Sequence, residues 1–216
     1  MSVINNPAEQ AAKAPAYDTN SVTVRGIVTE APELEHTMPD GHSFYRMQVS
    51  TARASGTQDR LPAIISGERL PEGIHPGCRI ELDGQIRTYN LPQPVDGRRL
   101  RVVMFAQQAR MCAQDQDENE VHLSGIICRA PILRMTPKGR VICDFLLGVK
   151  WGLDKYAYVP CIAWSKNASM VSLMSMGDRI ELRGRIQSRE YVKCFPDGSE
   201  TTRTAYEVSA VWISSI

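Results

Sequence analysis

Apolar and polar positions alternate with a period of two through most of this chain, in short runs separated by breaks that carry Gly or Pro. That is the pattern of half-buried strands. Residues 21–29, SVTVRGIVT, alternate around Gly26 and are broken at Ala31-Pro32. Residues 38–41, MPDG, form a turn signature. Second and third strands are predicted over 44–51 and 60–66, a fourth over 77–89 and a fifth over 100–107. The second half repeats this order over 120–129, 141–151, 156–164, 177–191 and 205–213. Gly125 answers Gly26, Ala130-Pro131 answers Ala31-Pro32, and TPKG at 136–139 answers MPDG. The fourth strands make the repeat plainest: GDRIELRGRI from Gly177 shares seven of ten positions with GCRIELDGQI from Gly77, 100 residues earlier.

Within that repeat Ile80, Leu82 and Ile86, like Ile180, Leu182 and Ile186, fall on one face. In the second copy Arg179, Glu181, Arg183, Arg185 and Arg189 fall on the other, and Gly184 marks a bulge or bend. Trp212 shares its face with Val208 and Ala210 and reads as core. The copies differ between strands three and four. Residues 165–176 place Ala168, Val171, Leu173 and Met174 at near-helical spacing, whereas 67–76 hold two Pro and two Gly and read as a loop. Five strands joined by short connections, with a helix between the third and fourth, is the order of the OB-fold, here read as antiparallel throughout; a pair of SH3-like or sandwich domains is the alternative. The fold expectation is therefore all-β: two tandem five-stranded OB-fold barrels, the second with a short helix. The division is a flexible tail 1–20, a first barrel 21–112, an acidic linker 113–119 and a second barrel 120–216.

Charge sharpens this division. The formal net charge of +1 resolves into −1 over residues 1–20, +1 over 21–112, −4 over 113–120 and +5 over 121–216. The basic excess of the second copy suits a nucleic-acid partner. Six cysteines show no C-x-x-C pair and the four histidines are scattered, so reduced thiols, no metal and no cofactor are expected. No nucleophile elbow or phosphate loop appears, which argues against an enzyme. With no apolar run long enough for a membrane span or signal peptide, a cytoplasmic protein is expected.

The residues from 119 to 213 resemble the bacterial single-stranded DNA-binding protein family. The resemblance is carried by V-x-L-x-G at 121–125, Ala-Pro-x-Leu-Arg at 130–134, Pro-x-Gly at 137–139 and Ala-Trp-x-x-x-Ala at 163–168. Gly-Asp-Arg-Ile-x-Leu-x-Gly-Arg-Ile-Gln-Ser-Arg-x-Tyr at 177–191 and Tyr-Glu-Val at 206–208 complete it. Residues 21–112 show the same frame more faintly. LPAIISG at 61–67, like LSGIICRAP at 123–131, is also similar to primosomal replication protein N.

What the resemblance implies is a non-catalytic protein that coats single-stranded DNA in replication, repair or recombination, using aromatic stacking and phosphate contacts. The alternative is a primosomal or mobile-element accessory protein acting through protein contacts. Carried over by position, Trp151, Tyr158, Trp164 and Tyr191 stack on bases, and Lys150, Lys166, Arg189 and Lys193 meet phosphates. Strand alternation supports Tyr158, Trp164 and Tyr191 on an outer face, while Trp151 reaches that face only through a bulge near Gly148 or a turn at Gly152. The first copy has Arg53, Arg60 and Ser66 at the first three aromatic positions and Tyr89 or Leu91 near the fourth. It is therefore expected to bind weakly, through Arg53, Arg60, Arg87 and Tyr89, or to serve assembly. Replication or repair proteins are further expected partners, and a homodimer would bring four barrels together.

Overall fold

A computed structural model describes residues 18–95, 98–195 and 198–216. The strands are β1 (Asn20–Thr37), β2 (Ser43–Ala52), β3 (Gln58–Ser66), β4 (Arg79–Val95) and β5 (Arg98–Met111). After them come β6 (Glu118–Ile127), β7 (Ile132–Met135), β8 (Val141–Gly152), β9 (Lys155–Trp164), β10 (Arg179–Cys194) and β11 (Glu200–Ser215). One helix, α1 (Ser165–Val171), follows β9; the first copy has only a single 3-10 turn, Gly67–Arg69, at that place.

β1 pairs with both β2 and β4, β2 with β3, β3 with β5 and β5 with β4, so the first five strands close on themselves. In the second half β6, β10, β11, β9 and β8 close the same circuit. Two tandem OB-fold barrels result. The expectation of antiparallel pairing throughout needs correcting: β3–β5 and β9–β11 are parallel, because closing a five-stranded circuit brings its third and fifth strands side by side in one direction. The interior is the alternating set read from sequence, including Ile80, Leu82 and Ile86 and their counterparts Ile180, Leu182 and Ile186.

Gly84 and Gly184 sit where the fourth strand of each barrel meets the fifth at close range. A Cβ on Gly184 would lie 2.2 Å from the Ser209 carbonyl oxygen, and one on Gly84 2.1 Å from that of Phe105. Only glycine lets the strands approach this closely. The ladder shifts register at both positions, and the bulge opposite Gly184 turns both Val211 and Trp212 outward. Trp212, expected in the core, is 44% exposed and carries Arg183 over its ring at 5.8 Å.

Other corrections concern strand ends. Ala31-Pro32 does not end β1; residues 31 and 32 fall in a register shift between Glu30 and Glu33, where the missing proline N–H costs no ladder bond. In the second copy the chain does leave the sheet after Ile127 and returns as β7. Ala168 and Val171 of α1 are buried as expected, but the helix ends at Val171, which leaves Leu173 88% exposed in the following turn. Of the expected tail, residues 1–17 lie outside the described residues. Residues 18–20 are tied down: Thr19 exchanges hydrogen bonds with Ser124, and the Asn20 side chain accepts from Ile86 N at 2.9 Å and donates to its carbonyl at 3.0 Å.

The barrels join through β1 and β6, which pair antiparallel with Val22 opposite Val121, Asn20 opposite Leu123 and Asn119 opposite Val24. Val22 and Val121 are equivalent in the repeat, so a pseudo-twofold axis passes between them. Asn119 accordingly repeats the Asn20 arrangement, bonding both backbone groups of Ile186 at 3.0 and 2.7 Å.

Candidate nucleic-acid interface

On the second barrel, β10 and β11 together with the end of β9 form one side of a groove of about 1040 Å³. Trp164, the last residue of β9, lines it half-buried, its indole Nε1 donating to Ser209 Oγ at 3.0 Å. That bond fixes the ring orientation and leaves aromatic surface toward the groove. Five arginines share the lining: Arg53, Arg134, Arg140, Arg185 and Arg189. Arg134 is paired with Asp144, which raises its pKa, while Arg189 is exposed and 4.0 Å from Glu207. Glu190 and Glu207 are the carboxylates of the lining, and Glu207 accepts a hydrogen bond from Gln187 at 2.7 Å. The arrangement offers a flat π-face beside an excess of guanidinium groups, the chemistry that holds a single-stranded nucleic acid.

Tyr191 lies further along β10, in a second groove of about 780 Å³ between the barrels, which it lines with Leu91, Pro62 and Pro160. Arg189 lies 5.7 Å over the Tyr191 ring, so the two candidates link the two grooves. Tyr158 is 48% exposed on the outer face of β9, its backbone N donating to Thr88 Oγ1 at 2.8 Å. Trp151 is unpaired in a register shift between Lys150 and Gly152, and its half-buried ring packs against the core. Its ring is covered by Arg87 at 4.2 Å and by Lys155 at 5.1 Å, so the structure gives it cations as partners.

The basic candidates are scattered. Lys150 is paired with Asp18 at 3.1 Å, which raises its pKa, and Lys193 lies 5.1 Å over Phe195. Lys166 is exposed in the first turn of α1. In the first copy Arg87 lies between Phe105 (3.3 Å) and Trp151; burial lowers its pKa against a hydrogen bond with half-buried Tyr89. Arg53 is bound by both oxygens of Asp59, and Arg60 is exposed with its backbone N bonded to Ser188 Oγ at 3.0 Å. Thus Trp164, Arg189 and Arg53 meet in one groove, Tyr191 adjoins it, and Trp151, Tyr158, Lys150, Lys166 and Lys193 lie elsewhere.

Residues 118–214 match the single-strand binding protein family. The single-stranded DNA-binding protein of Clostridium tetani is 36% identical over 80 residues, covering 34% of this chain and 55% of that one. The one from Halalkalibacterium halodurans is 34% identical over 80 residues, 34% of this chain and 48% of that one. The chain is similar to bacterial single-stranded DNA-binding proteins. It spans about half the length of these relatives. In fold, the likeness takes in both barrels: the single-stranded DNA-binding protein of Thermus aquaticus superposes with a TM-score of 0.75 at 19% identity, over 93% of this chain and 94% of that one.

Sequence reasoning missed Arg134, Arg140 and Arg185, which line the groove, and exposed Tyr156. It also missed aromatic side chains in the first barrel that occupy other positions. His36 stacks on Phe44 at 5.0 Å and 17°, and Phe44 meets Phe105 at 5.8 Å. Laying one copy on the other residue by residue would have found them, since Phe44 answers Ile142 and Phe105 answers Ser209.

Proposed function

We propose that the chain is a non-catalytic single-stranded DNA-binding protein that protects single strands during replication, repair or recombination. The supporting observation is Trp164 presented in a groove lined by five arginines, within the stretch that matches the family. Trp164 stacks on one base. The strand follows β10 past Arg189 to Tyr191, and Tyr158, Lys166 and Lys193 meet its flanking nucleotides. The second barrel, residues 120–216, carries most of the binding. Two chains associate to present four barrels, and replication or repair proteins are recruited to the coated strand.

The test is titration of the full chain with a poly-pyrimidine oligonucleotide, followed by tryptophan fluorescence at several salt concentrations. Quenching is expected, with affinity falling as salt rises because bound counterions are released from the phosphates. Trp164→Ala is expected to weaken binding by about 5- to 160-fold, the equivalent of one base stack of about 1–3 kcal/mol. Unchanged fluorescence on adding strand, together with no affinity by a second method, overturns the reading.

A further inference from the structure

One wall of the Trp164 groove comes from the other barrel. The turn between β2 and β3 supplies Arg53, Ala54, Ser55 and Thr57 to the lining. This turn is held in place. Asp59, completely buried, binds Arg53 at 2.7 and 2.5 Å and accepts a hydrogen bond from Ser188 N at 2.7 Å, while Arg53 Nη2 donates to the Ser188 carbonyl at 3.3 Å. Ser188 belongs to β10, so the latch fixes a first-barrel arginine against the strand that forms the second-barrel groove.

Arg185, also on β10, lines the same groove. Its Nε is buried and has no hydrogen-bond partner. Burial lowers its pKa and the charge of Arg53 lowers it further, against the attraction of Asp59. Two guanidinium groups therefore share one partly desolvated groove and repel each other, and Arg53 already engages both oxygens of Asp59. Of the two carboxylates that line the groove, Glu207 is hydrogen-bonded to Gln187, and Glu190 is exposed. An anion in the groove beside Arg185 would offset the repulsion between the two guanidinium groups.

The pseudo-twofold copy of this place is different. Trp151 stands where Arg53 does, and Gln85 where Arg185 does, so the pair occurs once among the described residues. The groove is far larger than a single phosphate ion and runs on past Trp164, which suits a phosphate carried on a polymer.

We propose that Arg53 and Arg185 form a composite phosphate site, one arginine from each barrel, which holds the backbone of a single strand whose base stacks on Trp164. This rests on the single-strand reading given above. It assigns the first barrel a direct part in the second barrel's groove, although three of its own matching aromatic positions are empty of aromatics.

The experiment compares the full chain with Arg185→Gln, and with the double variant Arg53→Gln/Asp59→Asn, which removes both latch charges together. Each is titrated with an oligo-dT strand across a salt series, with thermal melting as a check on folding. Removing one phosphate contact is expected to reduce the slope of log K against log salt by about 0.7. Arg185→Gln carries the test alone if the double variant does not fold. An unchanged slope for folded Arg185→Gln, with binding still sensitive to Trp164→Ala, overturns the composite site and leaves the single-strand reading standing. A changed slope for Arg185→Gln but not for a folded double variant overturns the first barrel's share. Absence of binding by the parent chain overturns the single-strand reading beneath both.

Discussion

Trp212 and Trp151 both stand at breaks in strand register. In β11 the bulge at Val211 reverses the alternation that would bury Trp212, and in β8 Trp151 sits at the irregularity with its ring packed against the core and Arg87 over it. The glycine opposite the first bulge is correspondingly constrained. Gly184→Ala would press a methyl against the Ser209 backbone and is expected to cost about 1–3 kcal/mol, read as a lower denaturant midpoint. Side-chain chemistry follows burial in the same way. Cys143 and Cys161 are buried and desolvation pushes both thiols up, Cys161 strongly, whereas Cys194 is exposed. In an Ellman titration of the folded chain, Cys194 should react before either, and Cys143 and Cys161 only after denaturant is added. Alternation could reveal which residues point inward within a regular strand. It could not show where an extra residue breaks the count, which is why Trp212 was misplaced while Ile180, Leu182 and Ile186 were not.

At the scale of elements, the repeat made the barrels legible because each strand is a short alternating run with its own turn signal. Parallel closure of β3 on β5 and of β9 on β11 left no local mark, since it follows from the circuit as a whole. The site was less legible for the same reason. Trp164 and Arg189 carried family motifs, but Arg53 reaches the groove across the seam from 111 positions before Trp164 in the chain, and no local pattern announces such a meeting. The latch between β3 and β10 has its own consequence. Asp59→Ala would leave Arg53 partly buried without its carboxylate and Ser188 N without an acceptor. A loss of about 3 kcal/mol is expected from denaturant unfolding, the low end for a broken buried pair because Arg53 keeps some exposure.

Across the whole molecule, the β1–β6 ladder makes one continuous sheet of both halves. Thermal unfolding is therefore expected as a single transition, with the same midpoint by near-UV and far-UV circular dichroism. Acid should weaken the fold partly through Glu35. The hydrogen bond from Arg101 holds this carboxyl below its ordinary value, so its contribution is complete above the unfolded-state pKa and is lost as pH falls through the lower folded-state one. Glu35→Gln is expected to cost at most about 1 kcal/mol at neutral pH, a difference that shrinks in denaturant titrations repeated below about pH 4.

The pseudo-twofold seam has one more consequence. A true twofold interface between identical chains writes every substitution twice, so a buried aspartate placed to grip the neighbour must be accommodated on both sides of the axis. Here the equivalent of Asp59 is Ala157, each fully buried in its own barrel, and the equivalent of Ser209 is Phe105. Joining the halves in one polypeptide released them from mirroring each other. A charge could enter on one side only, and the two faces of the molecule became free to specialise independently.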